Sequence, residues 1–111
     1  MRKVNLFVGG LLDAGFDPSG KYLFVISTSG RGVFSTETWE RLARDPADHY
    51  SLNGTGVGIG PIAGQIIPVT GKNFHTSVLE ISSPDRKINL RYEDGTIEIW
   101  DEASSTQAHD G

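Results

Sequence analysis

The longest unbroken apolar run in the chain is Tyr22 to Ile26, five residues that are β-branched, aromatic or Leu. With no polar position inside it, the run predicts a strand buried on both faces. Asp17-Pro18-Ser19-Gly20 before it fits a tight turn, in which Pro18 presets φ and Gly20 tolerates φ > 0. Ser29 to Gly32 turn the chain back, and Val33-Phe34 make a short strand. Upstream, Val4 to Val8 read as a first strand. Gly9-Gly10 is a candidate two-residue hairpin turn, with Leu11-Leu12 beginning the return. Asp13-Ala14-Gly15 predicts a bulge or bend.

Between Ser35 and Asp45 the pattern changes. Thr36 is a plausible N-cap, Glu37 sits in a first turn, Arg41 and Arg44 in a last one, and Pro46 stops the segment. This predicts one short helix over about 37–44, with Trp39 and Leu42 on the face that covers the sheet. The alternative is a fourth strand bearing Trp39. Asn53 to Gly60 alternates glycine with other residues. Pro61 to Val69 reads as an edge strand, because Pro61 and Pro68 cannot donate to a ladder. Thr70 to Asn73 is a turn. Thr76 to Ile81 alternates as a half-buried strand. Ile88 to Tyr92 and Thr96 to Trp100, joined at Glu93-Asp94-Gly95, form a hairpin.

The fold class is therefore mainly β: an antiparallel meander of about 7–8 strands with two blade-like hairpin units and one short helix. Residues 1–103 make a single β-rich domain, and 104–111, small and polar, a disordered tail. The predicted core is Leu6, Phe16, Leu23, Val25, Phe34, Trp39, Leu42, Leu79, Ile81, Leu90, Ile97 and Ile99.

Composition narrows the classes. At 111 residues the chain suits one domain that buries roughly two thirds of its unfolded surface. It is 37% hydrophobic and 22% charged, within the ordinary range for a globular protein. The absence of cysteine excludes a disulfide framework, a thiol nucleophile and a thiolate zinc site, and fits the cytoplasm. The apolar run after Met1-Arg2-Lys3 is too short for a signal peptide, and no run approaches the ~18 apolar residues of a membrane helix. Net charge is −4 with no basic cluster, which argues against direct nucleic-acid binding.

The segments Asp17 to Ser27 and Ser83 to Asp101 echo one another: Pro18 matches Pro84, Lys21 matches Lys87, and the second ends in Trp100-Asp101. Both resemble the inner-strand segment of a WD40-type propeller blade. A closed propeller needs about four or more blades, so what the resemblance implies here is local structure, four-stranded antiparallel units. The run Ser29 to Asp45, with Asn53 to Gln65 after it, resembles small uncharacterised bacterial proteins. In size, acidity and lack of a catalytic signature the chain is similar to small bacterial toxin-immunity proteins of the contact-dependent growth inhibition type.

No pattern of catalytic residues emerges. Gly54, Gly56, Gly58 and Gly60 match neither GxxxxGK[ST] nor GxGxxG, and Pro61 follows them, so they read as a loop or as a glycine-lined strand packed closely by another backbone. His75-Thr76 is half of a phosphoesterase-like pair without its second acid or base. His49 beside Asp45 and Asp48 matches no metal-ligand spacing, and His109 lies in the tail. Glu93-Asp94 and Asp85 read as turn residues, and no serine sits in a GxSxG elbow.

The reading that follows is a binding protein, not an enzyme, with no cofactor and no metal. The immunity resemblance implies a basic protein toxin, a nuclease, as partner in a heterodimer, with neither nucleic acid nor membrane bound directly. The candidate partner-binding residues are Glu37, Glu40, Asp45 and Asp48, acidic positions that steer a basic partner. The alternative is a structural, propeller-like β-domain that self-associates.

Overall fold

The structure, a computed structural model, describes residues 2–6, 8, 10–28, 30–45, 55–69, 71, 79–82, 88–93 and 96–101. It is mainly β and antiparallel. The strands are β1 Arg2–Leu6, β2 Leu11–Phe16, β3 Tyr22–Ser27, β4 Gly30–Ser35, β5 Arg41–Asp45, β6 Thr55–Val57, β7 Ile66–Pro68, β8 Leu79–Ser82, β9 Ile88–Glu93 and β10 Thr96–Asp101. They form a four-stranded sheet β2-β3-β4-β5, a second in the order β1-β10-β9-β8, and a two-stranded ribbon β6-β7. The two echoed segments thus fall in separate four-stranded sheets.

Sheet β2-β3-β4-β5 is the middle layer. On one face Ala14, Phe16, Leu23, Val25 and Phe34 pack with Leu6, Ile97 and Ile99 of the β1–β10 sheet. On the other, Leu12, Phe24, Ile26 and Val33 pack with Ile67 of β7 and with Ile62 of a single 3-10 turn, Gly60–Ile62. Successive strand side chains point to opposite faces, so a strand with apolar partners on both sides carries no polar alternation. That is why Tyr22 to Ile26 is continuous. Before this strand, Gly20 N donates to Asp17 O (2.9 Å) with Gly20 at φ 76°, as the turn chemistry requires. The buried Asp17 carboxylate closes the turn from within, accepting from Ser19 N, Ser19 Oγ and Tyr22 N.

Several expectations are corrected. Gly9-Gly10 does not form a hairpin: β1 pairs with β10 and β2 with β3. β2 is buried at every position and has apolar partners on both faces through β3 and its neighbours, whereas β1 exposes Asn5 and completes the other four-stranded sheet beside β10. The register shift in β2 lies between Leu11 and Asp13, at the head of the expected bulge. β4 begins at Gly30, so Gly30, Arg31 and Gly32 lie in the strand and not in the turn expected over Ser29 to Gly32. The helix over 37–44 is absent. Residues 36–38 turn and β5 follows, paired with β4 through a bulge between Val33 and Phe34. The N-cap signal at Thr36 was a turn signal, and the alternative, a fourth strand bearing Trp39, is met only by a strand over 41–45 that Trp39 precedes. With no helix, Trp39 and Leu42 do not share a face: Trp39 is 6% exposed and Leu42 47%. Pro61 opens the 3-10 turn, leaving only Ile66–Pro68 as strand. Of the predicted core, Leu6, Phe16, Leu23, Val25, Phe34, Trp39, Ile97 and Ile99 are buried and Ile81 packs against them. The side chains of Leu79 and Leu90, and residues 102–111, lie outside what is described.

Gly58 shows why the glycine run is there. A Cβ at this position would meet the backbone carbonyl of Ile62, while Gly58 N donates to Gln65 O. Close backbone approach, and not phosphate cradling, accounts for this glycine.

Candidate functional site

Two neighbouring features stand out, the turn between β4 and β5 and a cleft beside it. The turn is built by hydroxyl groups. Ser35 Oγ accepts from Glu37 N and Thr38 N (3.1 and 3.3 Å), and Thr38 Oγ1 accepts from Glu40 N (3.2 Å). Trp39 N donates to Ser35 O and Ser35 N to Glu40 O (2.8 and 3.0 Å). Thr36, fully buried, anchors the turn to its neighbour: its N donates to Lys21 O and its Oγ1 to Gly20 O (2.9 and 2.7 Å).

Trp39 is the one described non-glycine residue with positive φ, at 60°. A bulky side chain there is strained, a state that persists only when its surroundings over-determine it. Here the indole is held in the core with Phe16, Leu23 and Phe34, and its Nε1 has no hydrogen-bond partner among the described residues. Burying Trp39 turns the residues around it outward, and Glu37, Thr38 and Glu40 are all exposed.

The predicted partner-binding residues separate accordingly. Glu37 and Glu40 share this turn, although not as consecutive turns of a helix. Asp45 sits at the other end of β5, half-buried, with its carboxylate ion-paired to the Arg31 guanidinium across the β4–β5 register. Asp48, His49, His75, His109, Asp85 and Asp94 lie outside the described residues. Among the described residues no group of three or more His, Asp or Glu is placed to hold a metal ion, and no helix is long and apolar enough to cross a membrane.

The cleft has a volume of about 280 Å³ and opens between β1 and the β3-β4-β5 face. Leu6, Val25 and Phe34 supply its apolar walls, and Asn5 and Ser27 its neutral polar groups. Arg41 and Arg44 of β5, paired with Phe34 and Gly32, line it as well, and Arg31 of β4 is the third arginine along it. Sequence reading missed this cluster because Arg31 was placed in a turn and Arg41 and Arg44 as dipole-complementing charges on a helix. A β4–β5 hairpin over 30–45 contains the signal: in that pairing Gly32 faces Arg44 and Phe34 faces Arg41.

Comparisons with known protein families, with curated proteins and with solved structures return no significant match.

Proposed function

We propose that this chain is a binding protein of the immunity type, which neutralises a basic protein toxin, a nuclease, by covering its active site. The observation that carries this reading is the β4–β5 turn: a strained, densely hydrogen-bonded segment that holds Glu37 and Glu40 in solvent. Presenting charged groups on a rigid support lowers the ordering cost of association, and complementary charge accelerates encounter. Occupancy asks for no nucleophile and no metal. The test is co-purification with the product of the adjacent gene, followed by binding kinetics at low and high salt. Glu37→Lys with Glu40→Lys should slow association, and salt should weaken the wild-type complex. Binding that ignores both the reversals and the salt removes the acidic turn from the interface.

A second reading has its own support. Both four-stranded sheets are antiparallel throughout, and among the described residues one ends in β5 and the other in β8 as edge strands. Edge strands are templates for pairing with another chain, which suits a propeller-like domain that self-associates. Elution of the purified chain as a large oligomer favours this reading; a monomer that pairs with the adjacent product favours immunity.

A further inference from the structure

We propose that the cleft between β1 and the β3-β4-β5 face is a binding site for a small organic anion, a carboxylate or a phosphate ester with a short apolar body. This site is separate from the acidic turn and does not depend on the immunity reading.

The charges lead to it. The protein as a whole is acidic, at −4, yet three of its six arginines line one cavity. Arg31 is largely buried and paired with Asp45, which compensates both charges and braces the wall. Arg41 and Arg44 are exposed, and neither forms an ion pair with a described residue. Two like charges brought to one lip repel each other, and an anion between them turns that repulsion into attraction. Guanidinium forks match carboxylate and phosphate oxygens in a bidentate way, so they suit a planar or tetrahedral anionic head better than a halide.

The walls set the rest of the ligand. Leu6, Val25 and Phe34 line the same cavity as Arg41 and Arg44, so a ligand whose head meets the two arginines has apolar surface within reach of its body. The Asn5 amide and the Ser27 hydroxyl line the cavity beside them. A volume of about 280 Å³ lies at the lower end for ligand sites, which commits the site to a small molecule. Glu40 precedes Arg41 in the chain but does not line the cavity.

The experiment is a titration of the full chain with hexanoate and with hexyl phosphate, followed by the backbone amide resonances of Ser27, Gly30 and Gly32. Hexyltrimethylammonium, with the same tail and the opposite charge, is the control. Saturable shifts with the anions and none with the cation are expected. The stronger of the two anions identifies the head group. Arg41→Gln and Arg44→Gln should each weaken binding about tenfold, as loss of one charge-assisted pair would. Both side chains are exposed on an edge strand, and an unchanged melting temperature checks that the variants fold. Gly32→Ala probes the cavity without touching charge. Its new methyl would meet Val25 Cγ2 at 3.4 Å and Arg41 Cδ at 3.9 Å, ordinary contact distances. It should leave stability intact and still weaken the anions. Equal binding of the cation, or absence of saturable shifts at the three amides, overturns the proposal. So does undiminished affinity in both the Arg41→Gln/Arg44→Gln double variant and Gly32→Ala.

Discussion

The two four-stranded sheets are both antiparallel, but one runs in chain order while the other takes β1 beside β10 across a crossover, and their central strands differ in burial. In β3 every residue from Leu23 to Ser27 is buried. In β10 Ile97 and Ile99 are fully buried while Glu98 between them is half exposed, and in β1 Leu6 is buried beside an exposed Asn5. The difference teaches that burial pattern follows the layer and not the strand. β3 lies between two apolar surfaces, one supplied by β1 and β10, the other by the 3-10 turn and β7. Continuous hydrophobicity in one sheet and alternation in the other are the same two-residue period read against one neighbour or two.

Substitutions at consecutive positions can break this contrast. The largest effect is expected in β3. Phe24→Ala should cost about 3–5 kcal/mol and Leu23→Ala about 2–5 kcal/mol, although their side chains enter different cores. Urea denaturation midpoints measure both, and a neutral result at either position would mean that one face of the middle sheet is open to water. In β10 the same pair of measurements should split. Ile97→Ala should cost about 2–5 kcal/mol, and Glu98→Ala less than about 1 kcal/mol. Equal losses at 97 and 98 would erase the distinction between the sheets.

A smaller effect sharpens the boundary of the middle sheet. Asp17→Ala removes the acceptor of Ser19 N and Tyr22 N and should cost about 1–3 kcal/mol. Hydrogen exchange should show the loss first at the Tyr22 amide. The smallest effect belongs to β5. Leu42→Ala should change stability by no more than about 0.5 kcal/mol, because the side chain is 47% exposed. A cost of several kcal/mol would place Leu42 back in the core, where the helical reading had it.

The candidate site was legible only in part. Glu37 and Glu40 were identified as exposed acids, and they are exposed, but by a turn formed around Trp39. A positive φ at tryptophan has no signature in composition or spacing, since it arises when the core claims the indole and the turn bends to deliver it. Asp45 was grouped with those acids because it is close in sequence. Strand pairing carries it to the far end of β5 and gives it to Arg31. The arginine cleft was illegible for a related reason: Arg31 was read as part of a turn and Arg41 and Arg44 as the end of a helix, and they become neighbours only across the β4–β5 ladder.

By itself the sequence determined the features that local chemistry controls. These include the apolar strand at Tyr22 to Ile26, the Asp17–Gly20 turn with proline and glycine in the required places, the hairpin of β9 and β10, and the mainly β class. Each follows from propensity or turn geometry within about ten residues. Tertiary structure alone decided that β1 joins β10 instead of β2, that residues 41–45 extend instead of coiling, and that Arg31, Arg41 and Arg44 line one cleft. Capping and dipole signals favour a helix by about 1 kcal/mol each. Completing the ladder beside β4 and burying Trp39 and Ala43 against the two cores outweighs that preference, and no window of the chain contains both sides of the contest.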